Sequence, residues 1–158
     1  MSKISVELVG EKKLQQALAQ AAADVKSAAE VAVVATALDL RANIVQEISK
    51  PGRGRTYTHF FYTTESGKLA QGRKRNKPHT ASAEGDPPAT DTGRLKNNIY
   101  FERLGALTAA VGSDLVYATY LEYGTSKMAA RPFFRPAVEK IRPIFMKRIE
   151  KALGDELR

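Results

Sequence analysis

From about Lys12 to Ile48 the chain contains neither glycine nor proline, and apolar residues return every three or four positions. Leu14, Leu18, Ala21, Val25, Ala28, Ala32, Ala35, Leu38, Ala42, Val45 and Ile48 carry that period. The spacing places them in a stripe along one long helix. Alanine dominates the segment, which favours helix intrinsically and lets a neighbouring element approach closely. Unbroken, the helix would reach about 55 Å, more than one compact domain needs. It is therefore either two helices with a bend, or one helix that packs partly against another subunit. Pro51-Gly52 marks its end.

The remaining pattern mixes short strands with helices. Ile4, Val6 and Leu8 alternate with polar residues, as in a strand closed by Gly10. Thr56–Thr64 is rich in aromatic and β-branched residues and reads as a strand. Glu65-Ser66-Gly67-Lys68 is a plausible hairpin turn, with a weaker return strand from Lys68. Gln71–Asp86 is polar and basic, and is expected to be mobile when the protein is alone. Pro87-Pro88 forces an extended approach. Thr90 or Asp91 is placed to cap a short helix over Gly93–Asn97. Ile99–Leu104 and Thr108–Val111 pair around Gly105. Val116–Tyr123 is helical, with Gly124 as its stop. The final helix runs from Phe133 to Leu153, with Val138, Ile141, Phe145, Ile149 and Leu153 as its apolar face. Pro136 suits its first turn, whereas Pro143 predicts a kink or break. The class is α+β: a long N-terminal helix and a C-terminal helix packed on a small, mostly antiparallel sheet, with an extended basic hairpin or loop arm. One domain is expected over residues 1–158, with 51–90 a mobile basic arm or hairpin insertion.

Cysteine is absent, which excludes disulfides and thiolate metal sites. No apolar run approaches the roughly 20 residues of a membrane span, and the N-terminus has no apolar leader core. A soluble intracellular product is expected. The net charge of +8 is concentrated. Lys50, Arg53, Arg55, Lys68, Arg73, Lys74, Arg75 and Lys77 face Glu65 alone, so residues 50–79 carry +7. Such a segment attracts a polyanion or an acidic protein face, or is simply a solvated loop.

No catalytic constellation emerges. His59 and His79 have no metal-ligand spacing, and Glu84, Asp86 and Asp91 read as a turn and a helix cap rather than a metal site or a metal-dependent nuclease. Gly52-Arg53-Gly54-Arg55 lacks the ending and the preceding strand of a phosphate loop. The aromatic run Tyr57–Tyr62 beside it suits either a single-strand-binding surface or a buried hairpin face, and the buried face is favoured. Tyr117, Tyr120 and Tyr123 share one helix side, a spacing usual for core or a subunit interface. Phe133 and Phe134, between Pro132 and Pro136, read as anchors of a rigid corner, one serving the core and the other facing a partner.

Two blocks carry a resemblance. One is Ala83-Glu84-Gly85-Asp86-Pro87-Pro88-Ala89-Thr90-Asp91-Thr92-Gly93-Arg94-Leu95 with Asn98-Ile99. The other is Tyr117–Ala137, with Leu121-Glu122-Tyr123-Gly124-Thr125 and Ala130-Arg131-Pro132-Phe133-Phe134-Arg135-Pro136-Ala137. Together they resemble the tail-component family of long-tailed phages, the gene-product-ten-like neck and tail-completion proteins. The resemblance implies an α+β subunit without enzymatic activity or cofactor. It implies a ring of copies, about six, between capsid connector and tail tube, enclosing the genome's path. Partners would be neighbouring neck, connector, tail-terminator or tail-tube proteins, with genomic DNA possible in the lumen. The location would be the virion, assembled in the host cytoplasm. Gly124 would be the turn and Arg131–Pro136 the corner at the helix start. The alternative is a sequence-independent nucleic-acid-binding protein acting through residues 50–79, with Arg53, Arg55, Lys68, Arg73, Lys74, Arg75 and Lys77 as its contacts.

Overall fold

A computed structural model describes residues 11–155; the strand expected around Ile4, Val6 and Leu8 lies outside the described residues. The elements run α1 (Glu11–Ile48), β1 (Thr56–Thr63), β2 (Leu69–Thr80), α2 (Arg94–Asn97), β3 (Tyr100–Gly105), β4 (Thr108–Gly112), α3 (Val116–Tyr123) and α4 (Phe134–Asp155). The class is α+β, as the pattern predicts. The antiparallel strands divide into two separate ribbons, β1–β2 and β3–β4.

α1 is one unbroken helix of 38 residues, about 57 Å long. α4 runs antiparallel along its second half. Lys140 Nζ lies 2.7 Å from a Glu47 carboxylate oxygen, and Arg148 Nη2 lies 2.6 Å from Asp39. The β3–β4 ribbon covers another side of the same half. Arg41 Nε donates to the Ile99 carbonyl at 2.8 Å, and Arg103 pairs with Glu30 at 2.7 Å. The core gathers where these elements meet: Ile44, Ile48, Ile99, Ala118, Phe133 and Ala137 are buried together.

Only part of the predicted apolar stripe is covered. Leu14 and Leu18 are each 62% exposed, and Leu38 and Val31 also face solvent. The buried positions of α1 are Ala32, Thr36, Ala37, Ile44 and Ile48. Thr36 fits among them because its hydroxyl donates to the Ala32 carbonyl at 2.7 Å and accepts from Arg148. On α4, Ala137 and Ile141 are buried whereas Val138 and Leu153 are exposed.

Pro143, where a kink or break is expected, does not end the helix; α4 continues through it. Proline removes the donor to the carbonyl of Glu139, four residues earlier. Both residues are exposed, so that carbonyl stands open to solvent.

The β1–β2 ribbon is longer than the sequence suggests. Thr63 pairs with Leu69 and Thr56 with Thr80, so β2 spends more residues than β1 over the same span. The surplus enters as irregularities between Tyr57 and His59 and between His59 and Phe61. Pro78 falls in the larger one, where no ladder donor is needed. Of Gln71–Asp86, read from sequence as a polar, basic and mobile stretch, the part up to Thr80 is thus strand. The ribbon makes no substantial contact with the other elements; its strands pack on each other.

Candidate functional site

The second block folds into a corner. α3 ends at Gly124, whose φ of 76° and ψ of −178° define a conformation essentially reserved for glycine. A Cβ there would stand 2.9 Å from both the Ala130 nitrogen and the Met128 carbonyl oxygen. The loop then returns to α3: the Thr125 N–H donates to the Met128 carbonyl at 2.9 Å, and the Arg131 N–H to the Leu121 carbonyl at 2.7 Å.

Glu122 holds the start of α4. One carboxylate oxygen accepts the Phe133 N–H at 2.8 Å and the Phe134 N–H at 2.9 Å; the other accepts the Arg135 N–H at 2.9 Å. A helix leaves four N-terminal N–H groups without intrahelical partners. Here Glu122 takes three, and the fourth position is Pro136, which has none. The carboxylate also faces the positive end of the helix dipole. Glu122 is only 7% exposed. Phe133 enters the core, and the half-buried Phe134 lies beside it, its ring tilted by 47° with centroids 4.8 Å apart.

The first block locks onto this corner. Arg131 Nη1 donates to the Ser82 carbonyl at 2.7 Å and to the Ser82 hydroxyl at 2.6 Å. The Gly85 N–H donates to the Ala130 carbonyl at 3.1 Å. A cavity of about 280 Å³ lies between the blocks, lined among others by Ser82, Pro88, Asp91, Leu121 and Arg131. The caps expected of Thr90 and Asp91 are corrected. α2 begins after Gly93, with no side-chain cap. Thr90 donates instead to the Ile48 carbonyl at 2.5 Å, closing the C-terminus of α1, and Asp91 faces Arg75.

Two arginine–carboxylate pairs tether the ribbon to the first block. Arg53 grips Asp86 through Nε (3.0 Å) and Nη2 (2.6 Å). Arg75 grips Asp91 through Nη1 and, at 2.7 Å, Nη2. That guanidinium, helped by His79 nearby, holds the Asp91 carboxyl below its ordinary range. Gly52 permits the close passage at the ribbon's base, since a Cβ would lie 2.2 Å from the Thr80 and Ala81 carbonyl oxygens.

Above the tether the ribbon is open. Phe60, Phe61 and Tyr62 are 36%, 44% and 57% exposed, so the buried hairpin face favoured from sequence does not form. Aromatic and β-branched composition signals a strand but not whether another layer covers it. Arg73 and Arg75 lie over the Phe60 ring at 5.4 and 4.2 Å, and Arg55 over Tyr57 at 5.5 Å. Among the described residues, Lys68, Lys74 and Lys77 have no carboxylate within ion-pair distance. On α3, Tyr117, Tyr120 and Tyr123 are all solvent-exposed.

The structure therefore separates the sequence-derived residues into three places. Gly124, Arg131, Pro132, Phe133, Phe134 and Pro136 build the corner, the tyrosines stand outside it, and the basic residues lie on the ribbon. Sequence reading missed Glu122, Ser82 and the acceptor roles of Asp86 and Asp91. Glu122 lies 11 to 13 residues before the amides it serves, far outside the local capping-box spacing that would reveal it. No group of three or more histidine, aspartate or glutamate side chains among the described residues could hold a metal ion. No helix among them is long and apolar enough to cross a membrane.

Comparison with protein-family models, curated proteins and solved structures finds no match for this chain.

Proposed function

We propose that the chain is a non-enzymatic structural subunit of a long-tailed phage virion. It forms a closed ring of about six copies at the head–tail junction, joining the connector to the tail tube around the DNA path. One observation carries the reading: the surface left open. Large apolar side chains stand in solvent on the first turns of α1 (Leu14, Leu18) and along α3 (Val116, Tyr120, Tyr123). Apolar surface grouped in this way marks a protein–protein contact rather than a finished monomer surface.

The two blocks that resemble the tail-completion family supply the kind of assembly. Their union through the Gly85–Ala130 backbone bond and the neighbouring Arg131–Ser82 clasp, beside the Glu122 cap of α4, makes a stiff joint, which suits a subunit transmitting position from one neighbour to the next. Its partners are then further copies and the adjoining neck, terminator or tail-tube proteins.

Negative-stain imaging and sedimentation of the purified protein, alone and with its tail-tube partner, test this. Rings are expected. Monomers under every condition, together with no copy in purified virions by mass spectrometry, would refute it.

A further inference from the structure

We infer that the outer part of the β1–β2 ribbon is a stacking platform for single-stranded nucleic acid. Beyond its tethers at Arg53 and Arg75, the ribbon has no second layer laid against its strands; a two-stranded ribbon so placed is marginal in water, which favours a cover. Its charge selects the cover. Apart from Arg53 and Arg75, which are tied to Asp86 and Asp91, the ribbon and its base present Arg55, Lys68, Arg73, Lys74 and Lys77 against Glu65 alone. A second copy of the ribbon would repel the first, so the occupant is anionic.

The rings narrow the choice further. Phe60, Phe61 and Tyr62 are consecutive on β1, so they serve both faces of the ribbon, and all three are exposed. Guanidinium groups already sit over Phe60 and Tyr57. A single strand offers evenly spaced phosphates for the cations and unstacked bases for the rings. A duplex keeps its bases stacked on each other and leaves the rings unused. An acidic polypeptide offers charges without flat π-faces. The inference stands on the ribbon alone, whatever the oligomeric state of the chain.

Fluorescence anisotropy with the full chain decides it, using a labelled oligothymidylate of about 20 nucleotides, a duplex of equal length, and polyglutamate as competitor. The single strand should bind more tightly than the duplex. Its log–log salt slope should be about −3 to −4, from five phosphate contacts at roughly 0.7 each. Phe61→Ala and Tyr62→Ala, both at exposed positions, should each weaken single-strand binding about ten-fold and leave duplex binding unchanged. Lys74→Gln with Lys77→Gln should weaken both and flatten the slope. Circular dichroism of each variant checks that the fold is retained. Equal affinity for duplex with no effect of the ring variants would overturn the inference. So would displacement by polyglutamate at equal charge, or no binding at low salt. Ring formation, scored on the same samples, reports separately on the virion role.

Discussion

The side chain on which the corner depends most is Glu122. Replacing it with alanine leaves the buried Phe133 amide and the part-buried Phe134 and Arg135 amides without acceptors. An unmet buried donor costs about 1–3 kcal/mol, and the three together should lower stability by about 3 kcal/mol in urea unfolding. Glu122→Gln keeps one acceptor oxygen and should lose about half as much. Gly124→Ala meets two obstacles at once: a backbone conformation closed to alanine, and carbonyl and amide atoms 2.9 Å from the new Cβ. It should cost about 3 kcal/mol or prevent folding, read from the same measurement. The two residues differ in how visible they were. Gly124 announces itself, because a glycine after an aromatic helical segment is a familiar stop. Glu122 looks like any surface glutamate of a short helix, since what it serves arrives only after the loop has turned back.

At the level of elements, the ribbon and α1 show where pattern reading reaches and where it stops. α1 was legible because an unbroken apolar period leaves one interpretation. The hairpin turn was legible because Gly67 supplies the positive φ that Glu65-Ser66-Gly67-Lys68 requires. The extent of β2 was not, because a strand with no layer against its face carries no alternation, and its irregular register scrambles whatever remains. The ribbon's attachment is sensitive to acid. Asp91 is held as carboxylate by Arg75, so its folded-state pKa lies below the unfolded value. Its contribution is complete above the ordinary aspartate value of about 3.9, and disappears as pH falls through the lowered one. Asp91→Asn should imitate that acid state at neutral pH. Hydrogen exchange should then speed up across Thr56–Thr80 while the amides around Ile44 and Ile99 stay protected.

For the whole molecule, the decisive contrast is between a small, well-closed centre and long uncovered extensions. Deleting the chain through Lys26 removes turns of α1 that lie beyond every ion pair and buried residue described. Circular dichroism should lose that helical signal while the melting temperature of the remainder changes by no more than a few degrees. Sedimentation should report loss of the ring. A monomeric full-length protein with the same melting temperature would instead show that the overhang serves no neighbour. The fold class was open to sequence reasoning because it follows from the order and period of elements. Which surfaces remain bare was not, because bareness depends on layers that the chain does not supply.

The pairing of α1 with α4 works as a ruler. Asp39 and Glu47 stand eight residues apart on one helix, and their partners Arg148 and Lys140 stand eight apart on the other. Matched intervals on antiparallel rods fix both translation and rotation, so neither bond forms well unless the other does. One residue inserted between the two marks on either rod would turn everything beyond it by about 100° and separate the far pair. Length in this stretch is therefore as constrained as residue identity, although neither charge pair is buried.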